Sequence, residues 1–206
     1  MSIQTITIKT SQLKIAMGKT VRIEAQCHGD GWRQPFILLP FVNEKRWGAH
    51  ERPDAEGKAV FSIPLPNPGP ARLQIVALPA DPTHWMGLTA AATGEPSELL
   101  LAGQPIPENG IFSNAIDLQV TRRTIQKKDN QGSFFGMQWE PWFCWGMRSW
   151  RTAQAVPLVG FYESYNADVI RQHMLWCIDL GVDFIFPDWS NHIWGCQHWD
   201  ERHDST

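Results

Sequence analysis

The first 122 residues alternate between apolar and polar positions with the period of two that is typical of β-strands. The segments with this period, or with a short apolar run, are 5–10, 21–27, 36–39, 59–63, 72–78 and 116–120. Turn residues such as Gly18 and Gly57 separate them. These six segments come close to the roughly seven short strands per hundred residues that are typical of an immunoglobulin-like antiparallel β-sandwich. We therefore predict such a sandwich for residues 1–122.

Two stretches interrupt this pattern. Residues 64–70 contain four prolines, which donate no backbone hydrogen bond, so we expect the strand ladder to stop there. Residues 79–112 are rich in Pro, Gly, Ala and Thr and are predicted as a long excursion with one short helical piece. Residues 123–133 are polar and end in Gly-Ser, which is typical of a linker between two domains.

After residue 133 the hydrophobic pattern changes. Residues 134–139 are predicted as a buried strand and residues 182–187 as a second strand, on either side of a helix over 167–180. Asn166 is a typical N-cap residue, and Gly181 can take the left-handed conformation that ends a helix. The helix is predicted to bury one apolar stripe, which comprises Val169, Ile170, His173, Met174, Cys177 and Leu180.

A strand, a crossover helix and a second strand predict a parallel pair, as in the opening βαβ unit of a (β/α)8 TIM barrel. Such a barrel takes about 250 residues, and only about 70 remain here. We therefore expect residues 134–206 to be the start of a barrel in a truncated chain or fragment.

Composition and charge narrow the class of partner. Apolar residues make up 43% of the chain and charged residues 19%, as in a globular protein. Residues 135–206 carry four Lys/Arg against nine Asp/Glu, and they hold eight of the eleven tryptophans. Nucleic-acid binding needs clustered Lys/Arg, so no nucleic-acid partner is predicted. An acidic, indole-rich surface favours an oligosaccharide or polysaccharide.

Three pieces of the second half resemble, in order, the opening of the catalytic barrel in glycoside hydrolase family 99 and related family-71-like proteins. They are residues 138–143 (QWEPWF), residues 158–170 (LVGFYESYNADVI), and residues 180–185 (LGVDFI) with 188–191 (DWSN). The resemblance covers about 60 residues and leaves out the predicted sandwich. It implies an endo-acting glycan hydrolase, with a mannan-type or mannoside substrate possible. It also implies acid/base carboxylates on later strands, so we expect this polypeptide not to turn over glycans by itself.

Ligands of parallel barrels meet the loops that follow the C-terminal ends of the strands. Glu140 and Trp142 follow the first predicted strand, and Tyr162 precedes the helix. The residues after the second strand are Asp188, Trp189, Asn191 and His192. These seven are the candidate substrate-binding residues, and Glu140 and Asp188 are also candidates for catalytic carboxylates. Glycosidases use two carboxyl groups that flank the scissile bond.

Structural roles compete with each of these assignments. The tryptophans could pack the mouth of the barrel, and Tyr162 could pack at the entry of the helix. Glu140 and Asp188 could pair with Arg148 or Arg151. His173 lies on the apolar stripe and is predicted to be a hydrogen-bonded core residue, because barrel helices lie outside the active face.

No cofactor and no metal site is predicted. The histidines and cysteine near the end of the chain, His192, Cys196, His198 and His203, match no standard zinc spacing. The four cysteines are scattered, no apolar run reaches the ~20 residues of a membrane span, and no signal peptide is visible. A cytoplasmic location and no membrane partner are the resulting predictions.

Three other functional classes remain open. The chain could be a carbohydrate-binding or interaction module without catalysis. It could be a barrel protein associated with polysaccharide biosynthesis, or a truncated product without function.

Overall fold

The computed structural model of the chain describes residues 5–29, 35–81, 84, 86–88, 96–126 and 130–188. Strands account for 40% of the structure and helices for 13%, so the molecule is mostly β. The strands of the first region are β1 (Thr5–Lys9), β2 (Lys14–Ala16), β3 (Thr20–His28), β4 (Phe36–Val42), β5 (Lys45–Arg46), β6 (Lys58–Pro64), β7 (Gly69–Pro79), β8 (Ile111–Phe112) and β9 (Ile116–Thr121). The predicted short helical piece is a 3-10 helix at Glu98–Leu100.

These strands form two sheets. The first has the order β1-β3-β6, and the second has the order β2-β9-β7-β4-β5 with β8 beside β7. All pairs are antiparallel except β2 with β9. Both sheets contribute buried side chains to one shared hydrophobic core, an arrangement compatible with a β-sandwich.

The alternation read from the sequence decides which side chains enter this core. In β3, Val21 and Ile23 are buried and face Ile63 and Phe61 of β6 in register, while the residues between them point outwards. Burying a side chain of this size contributes about 1.5–3 kcal/mol. A shift of one residue would turn the whole apolar set to solvent, so the pattern fixes the register.

The expectation that the ladder stops over residues 64–70 is wrong at both ends of that stretch. Strand β6 extends to Pro64, and β7 begins at Gly69 and includes Pro70 opposite Gln119 of β9. Strand β4 pairs only with the residues of β7 from Leu73 onward. Pro70 therefore has no strand partner on the β4 side, so the N–H group that proline lacks leaves no hydrogen bond of the sheet unmade.

Strand β4 is buried on both faces, which explains its continuous apolar run. Leu38 faces the sandwich core, whereas Leu39 and Phe41 belong to a second core on the outer face of the second sheet. Residues from later in the chain complete that second core, with Met147, Trp150 and Phe161 all buried. The second sheet is thus the middle layer of the molecule.

The second region contains β10 (Gly136–Trp139), a 3-10 helix at Gly146–Trp150, α1 (Ala167–Leu180) and β11 (Phe184–Pro187). Strands β10 and β11 pair in parallel, as predicted, with Gly136 opposite Phe184 and Trp139 opposite Pro187. Helix α1 lies between them in the chain. The predicted strand at 134–139 starts two residues later than expected, and Phe134 and Phe135 are exposed.

Both predicted caps of α1 are confirmed. Asn166 Oδ1 accepts hydrogen bonds from the N–H groups of Asp168 (3.0 Å) and Val169 (3.2 Å). Gly181 ends the helix with φ +84°, a left-handed conformation that favours glycine. Asn166 Nδ2 also donates to the carbonyl of Ala102 at 3.2 Å, so the cap is attached to the sandwich.

The predicted apolar stripe of α1 is only partly right. Val169 and Cys177 are buried, and Ile170, His173 and Met174 are half-buried, but Leu180 is 64% exposed. The side chains of Gln172 and Leu175 are buried instead. The reason is tertiary: Leu175 lies against Gly18 of the sandwich, and Gln172 Nε2 donates to the Gly18 carbonyl at 3.0 Å.

Further contacts join the two regions. Asp179 of α1 binds Arg123 at 2.6 Å and Lys19 at 2.9 Å. The N–H groups of Gly48 and Ala49 donate to the carbonyls of Val159 and Leu158. In the segment that connects the two regions, the side-chain amide of Asn130 donates to the carbonyl of Gly181. The division into a domain at 1–122, a linker at 123–133 and a second domain at 134–206 stays a prediction.

Within the described residues, no helix combines the length and the apolar character needed to cross a lipid bilayer.

Candidate functional site

The C-terminal ends of β10 and β11 lie side by side. Glu140 and Asp188 directly follow the paired residues Trp139 and Pro187, and the Asp188 N–H donates to the Trp139 carbonyl at 2.8 Å. Because successive side chains of a strand point to opposite faces, Glu140 lies on the face of Gln138 and Asp188 on the face of Phe186. The two carboxylates that the sequence singled out therefore share one face and one end of the pair.

The amide of Gln138 links them. Its Nε2 lies 3.4 Å from Glu140 Oε1 and 3.3 Å from Asp188 Oδ2, which are long hydrogen bonds. These two carboxylate oxygens are therefore at most the sum of 3.4 and 3.3 Å apart, about 6.7 Å. The carboxyl groups of retaining glycosidases are about 5–5.5 Å apart and those of inverting enzymes about 6.5–9.5 Å. This bound applies to one oxygen of each carboxylate and is compatible with both ranges.

Gln138 is the residue of this site that the sequence analysis missed. Its signal was present, because Gln138 and Glu140 are two positions apart and a strand places such residues on one face. An amide nitrogen can donate two hydrogen bonds, one to each carboxylate. Gln138 thus holds two like charges near each other.

Trp142 follows Glu140 by two residues. The backbone N–H of Trp142 donates to the Glu140 carbonyl at 3.0 Å, in a tight turn. The residue is 41% exposed. A partly exposed indole two residues beyond Glu140 offers a flat apolar surface for a ligand with an apolar face.

Tyr162 occupies a different environment. Its ring packs in a cluster with Phe143, Trp150 and His173, at centroid distances of 5.6, 5.0 and 5.4 Å. Burial raises the pKa of the Tyr162 phenol. The proposed contact of Tyr162 with substrate stays a prediction, and the structure shows the packing role at the entry of α1.

His173 stacks on Trp176 with ring centroids 5.7 Å apart, in addition to its edge contact with Tyr162. Burial lowers the pKa of the His173 imidazole, which favours the neutral ring at physiological pH. Its place among half-buried aromatic side chains agrees with the predicted packing on the apolar stripe, and its predicted hydrogen bond stays a prediction.

A second carboxylate cluster, which the sequence analysis did not identify, surrounds the start of the 3-10 helix at Gly146–Trp150. Glu163 Oε1 accepts from the Gly146 N–H, and Glu98 Oε1 accepts from the Met147 N–H, both at 3.1 Å. The Tyr165 hydroxyl donates to Glu163 Oε2. Burial, the hydrogen bond to Glu163 and the nearby charges raise the pKa of Tyr165 to about 12. These bonds stabilise the loop that leads from Glu140 to α1.

Three candidate site residues, Trp189, Asn191 and His192, lie outside the described residues, as do Cys196, His198 and His203. Over the part of the chain that the structure describes, no three His, Cys, Asp or Glu side chains are grouped so that they could hold a metal ion.

The geometry thus brings together Gln138, Glu140 and Asp188, with Trp142 adjoining them, at one end of a parallel strand pair. A comparison of the sequence with models of known protein families finds no match, and a search of curated proteins finds none either.

Proposed function

We propose that the end of the β10–β11 pair is a saccharide-binding site and that the chain is the N-terminal portion of a glycan-degrading glycoside hydrolase of the family-99-like type. The observation that carries the proposal is the Gln138 amide between Glu140 and Asp188. A sugar presents vicinal hydroxyl groups, and two carboxylates a few ångströms apart can each accept a hydrogen bond from one of them. The sequence resemblance points to the same end of the same two strands.

The exposed face of the strand pair supports a barrel as the complete architecture. Phe184 and Phe186 are 55% and 64% exposed, and they lie on the face that also carries Gln138. Parallel sheets are normally covered on both faces. In a closed barrel this face would be the interior, and Glu140 and Asp188 would stand at its rim. The immunoglobulin-like class of the sandwich belongs to the same proposal.

Within this function, Glu140 and Asp188 act as hydrogen-bond acceptors for sugar hydroxyl groups. Glu140 is exposed, whereas the general acid of a glycosidase sits in a poorly solvated pocket. Trp142 supplies a stacking surface for the apolar face of a sugar ring. The acid/base carboxylates implied by the resemblance would come from later strands.

A carbohydrate-binding module without catalysis is the second candidate. The same exposure of Glu140 and Trp142 favours it, since both side chains can be reached from solvent without an enclosing active site. The two candidates share the ligand class and differ in turnover.

The test is calorimetric titration of the purified chain with mannotetraose and, for comparison, cellotetraose. We expect saturable binding of one of them and an approximately ten-fold loss in Glu140→Gln, because one charge-assisted hydrogen bond is weakened. Glu108→Gln, at an exposed glutamate of the first region, is the matched control and should bind like the wild type.

A reducing-sugar assay on the same samples tests whether Glu140 and Asp188 are themselves catalytic. If reducing sugar is released and the release disappears in Asp188→Asn, acid/base catalysis is assigned to the two carboxylates themselves. Binding without release agrees with their role as hydrogen-bond acceptors for sugar hydroxyl groups. If neither oligosaccharide binds, or if Glu140→Gln and Glu108→Gln behave alike, the proposed site is wrong.

A further inference from the structure

A cavity of about 270 Å³ lies where the sandwich meets the start of α1, away from the ends of β10 and β11. Its walls come from the turn between β4 and β5, from the proline-rich turn between β6 and β7, and from the helix cap. Trp47, Leu65, Pro68 and Val120 supply apolar surface, and Lys45 and Asn67 supply polar groups. Ligand pockets are usually apolar and about 300–1,000 Å³ in size, so this one suits a small molecule.

The polar side chains around the cavity are already hydrogen-bonded, except one. Asn67 bridges Asp168 and Arg171, and Asn166 caps α1. Asp168 also pairs with Arg171 at 3.0 Å, so its charge is compensated. The exposed Lys45 ammonium has no ion-pair or hydrogen-bond partner among the described residues. The free charge at this cavity is therefore positive.

Two further features make the same region electropositive. Arg46, next to Lys45 and also part of the wall, is fully buried, and its Nη1 donates only to the carbonyls of Pro40 and Gly48. No carboxylate among the described residues forms an ion pair with this guanidinium. The positive end of the α1 dipole, at Asn166, also borders the cavity.

We propose that this cavity binds a small organic anion, with the carboxylate against Lys45 and the apolar body against Trp47 and the prolines. The class of ligand is a monocarboxylate of roughly ten non-hydrogen atoms or fewer, given a volume just below the usual range. The site is separate from the proposed saccharide site and does not depend on it.

The test uses benzoate as the probe, with neutral benzamide and inorganic phosphate as the comparison ligands, at low ionic strength, where charge effects are largest. Binding is followed by nuclear magnetic resonance on protein labelled with ¹⁵N in its tryptophan side chains. The Trp47 indole N–H reports on the cavity, and that of Trp150, which packs in the second core, is the internal control.

We expect benzoate to shift the Trp47 signal saturably and leave that of Trp150 unchanged, with benzamide binding about ten-fold more weakly because it lacks the charge. Lys45→Gln should weaken benzoate binding by a similar factor. Lys14→Gln, at another exposed strand lysine, should have no effect. Both substitutions are at exposed positions, and a thermal melt of each variant confirms that it folds.

The proposal is overturned if benzoate gives no saturable shift at Trp47, if benzamide binds as tightly as benzoate, or if Lys45→Gln leaves the affinity unchanged. Phosphate that binds as tightly as benzoate would overturn the role of the apolar wall.

Discussion

Phenylalanines on strand β4 of the first region are buried, and those on β11 of the second region are exposed. In the sandwich, Phe41 of β4 is buried in the second core, and Phe161 from the other region packs there as well. In the β10–β11 pair, Phe184 and Phe186 are more than half exposed. The residue type and the strand conformation are the same, so the difference lies in how many layers cover each sheet. The middle sheet has a layer on both sides, while the parallel pair has one bare face.

The largest expected effect separates these two environments directly. Phe161→Ala should lower the free energy of unfolding by about 3–5 kcal/mol, because it removes a fully buried ring and leaves a cavity. Phe186→Ala should change it by less than about 0.5 kcal/mol, as expected for an exposed position. Urea unfolding of both variants measures the two values. Equal losses would mean that β11 is covered in solution.

A smaller effect is expected at the junction of the regions. Gln172→Ala removes a buried side chain whose Nε2 donates to the Gly18 carbonyl, and leaves that carbonyl without this donor. The expected loss is about 1–3 kcal/mol. Gln119→Ala, at an exposed glutamine of β9, is the control and should be close to neutral. A neutral Gln172→Ala would show that α1 is not fixed to the sandwich through this contact.

The smallest effect concerns pH. The hydrogen bond from Arg123 and, after it, the one from Lys19 lower the pKa of Asp179, while partial burial opposes them. A carboxyl group whose pKa is depressed by folding stabilises the folded state above its unfolded pKa, near 3.8, and this contribution is lost as the pH falls through the folded value. Because the pair is partly solvated, the contribution should stay below about 1 kcal/mol.

The comparison of wild type with Asp179→Asn tests this directly by thermal melts between pH 7 and pH 2. The difference in stability should be present at neutral pH and disappear in acid. A constant difference over the whole range would assign the effect of the substitution to packing instead of charge.

Local signals in the sequence predicted the sandwich strands and the ends of α1 well. Period-two alternation located β3 and β6, and Asn166 and Gly181 located the helix, because each signal acts over a few neighbouring residues. The short strands β2, β5 and β8 were missed, since two or three residues carry too little pattern.

Tertiary contacts determine the features that the local sequence pattern did not predict. Gln172 is buried although it is polar, because the Gly18 carbonyl needs a donor at that point. For the candidate site, strand order predicted that Glu140 and Asp188 would lie at the same end of the strand pair. The part played by Gln138 depends on the exact parallel register, which no single strand encodes. The cluster of Glu98 with Glu163 joins residues far apart in the chain, and so it had no sequence signal.

The double role of Asn166 has a geometric consequence for the rest of the molecule. The side-chain oxygen of Asn166 accepts the hydrogen bonds that start α1, and the nitrogen of the same amide donates to the carbonyl of Ala102. This planar group fixes the N-terminal end of the helix to the sandwich, and the contacts of Gln172 and Asp179 fix the turns that follow. Since β11 follows the C-terminal end of this anchored helix in the chain, the direction in which any additional strands would extend the parallel sheet is tied to the orientation of α1.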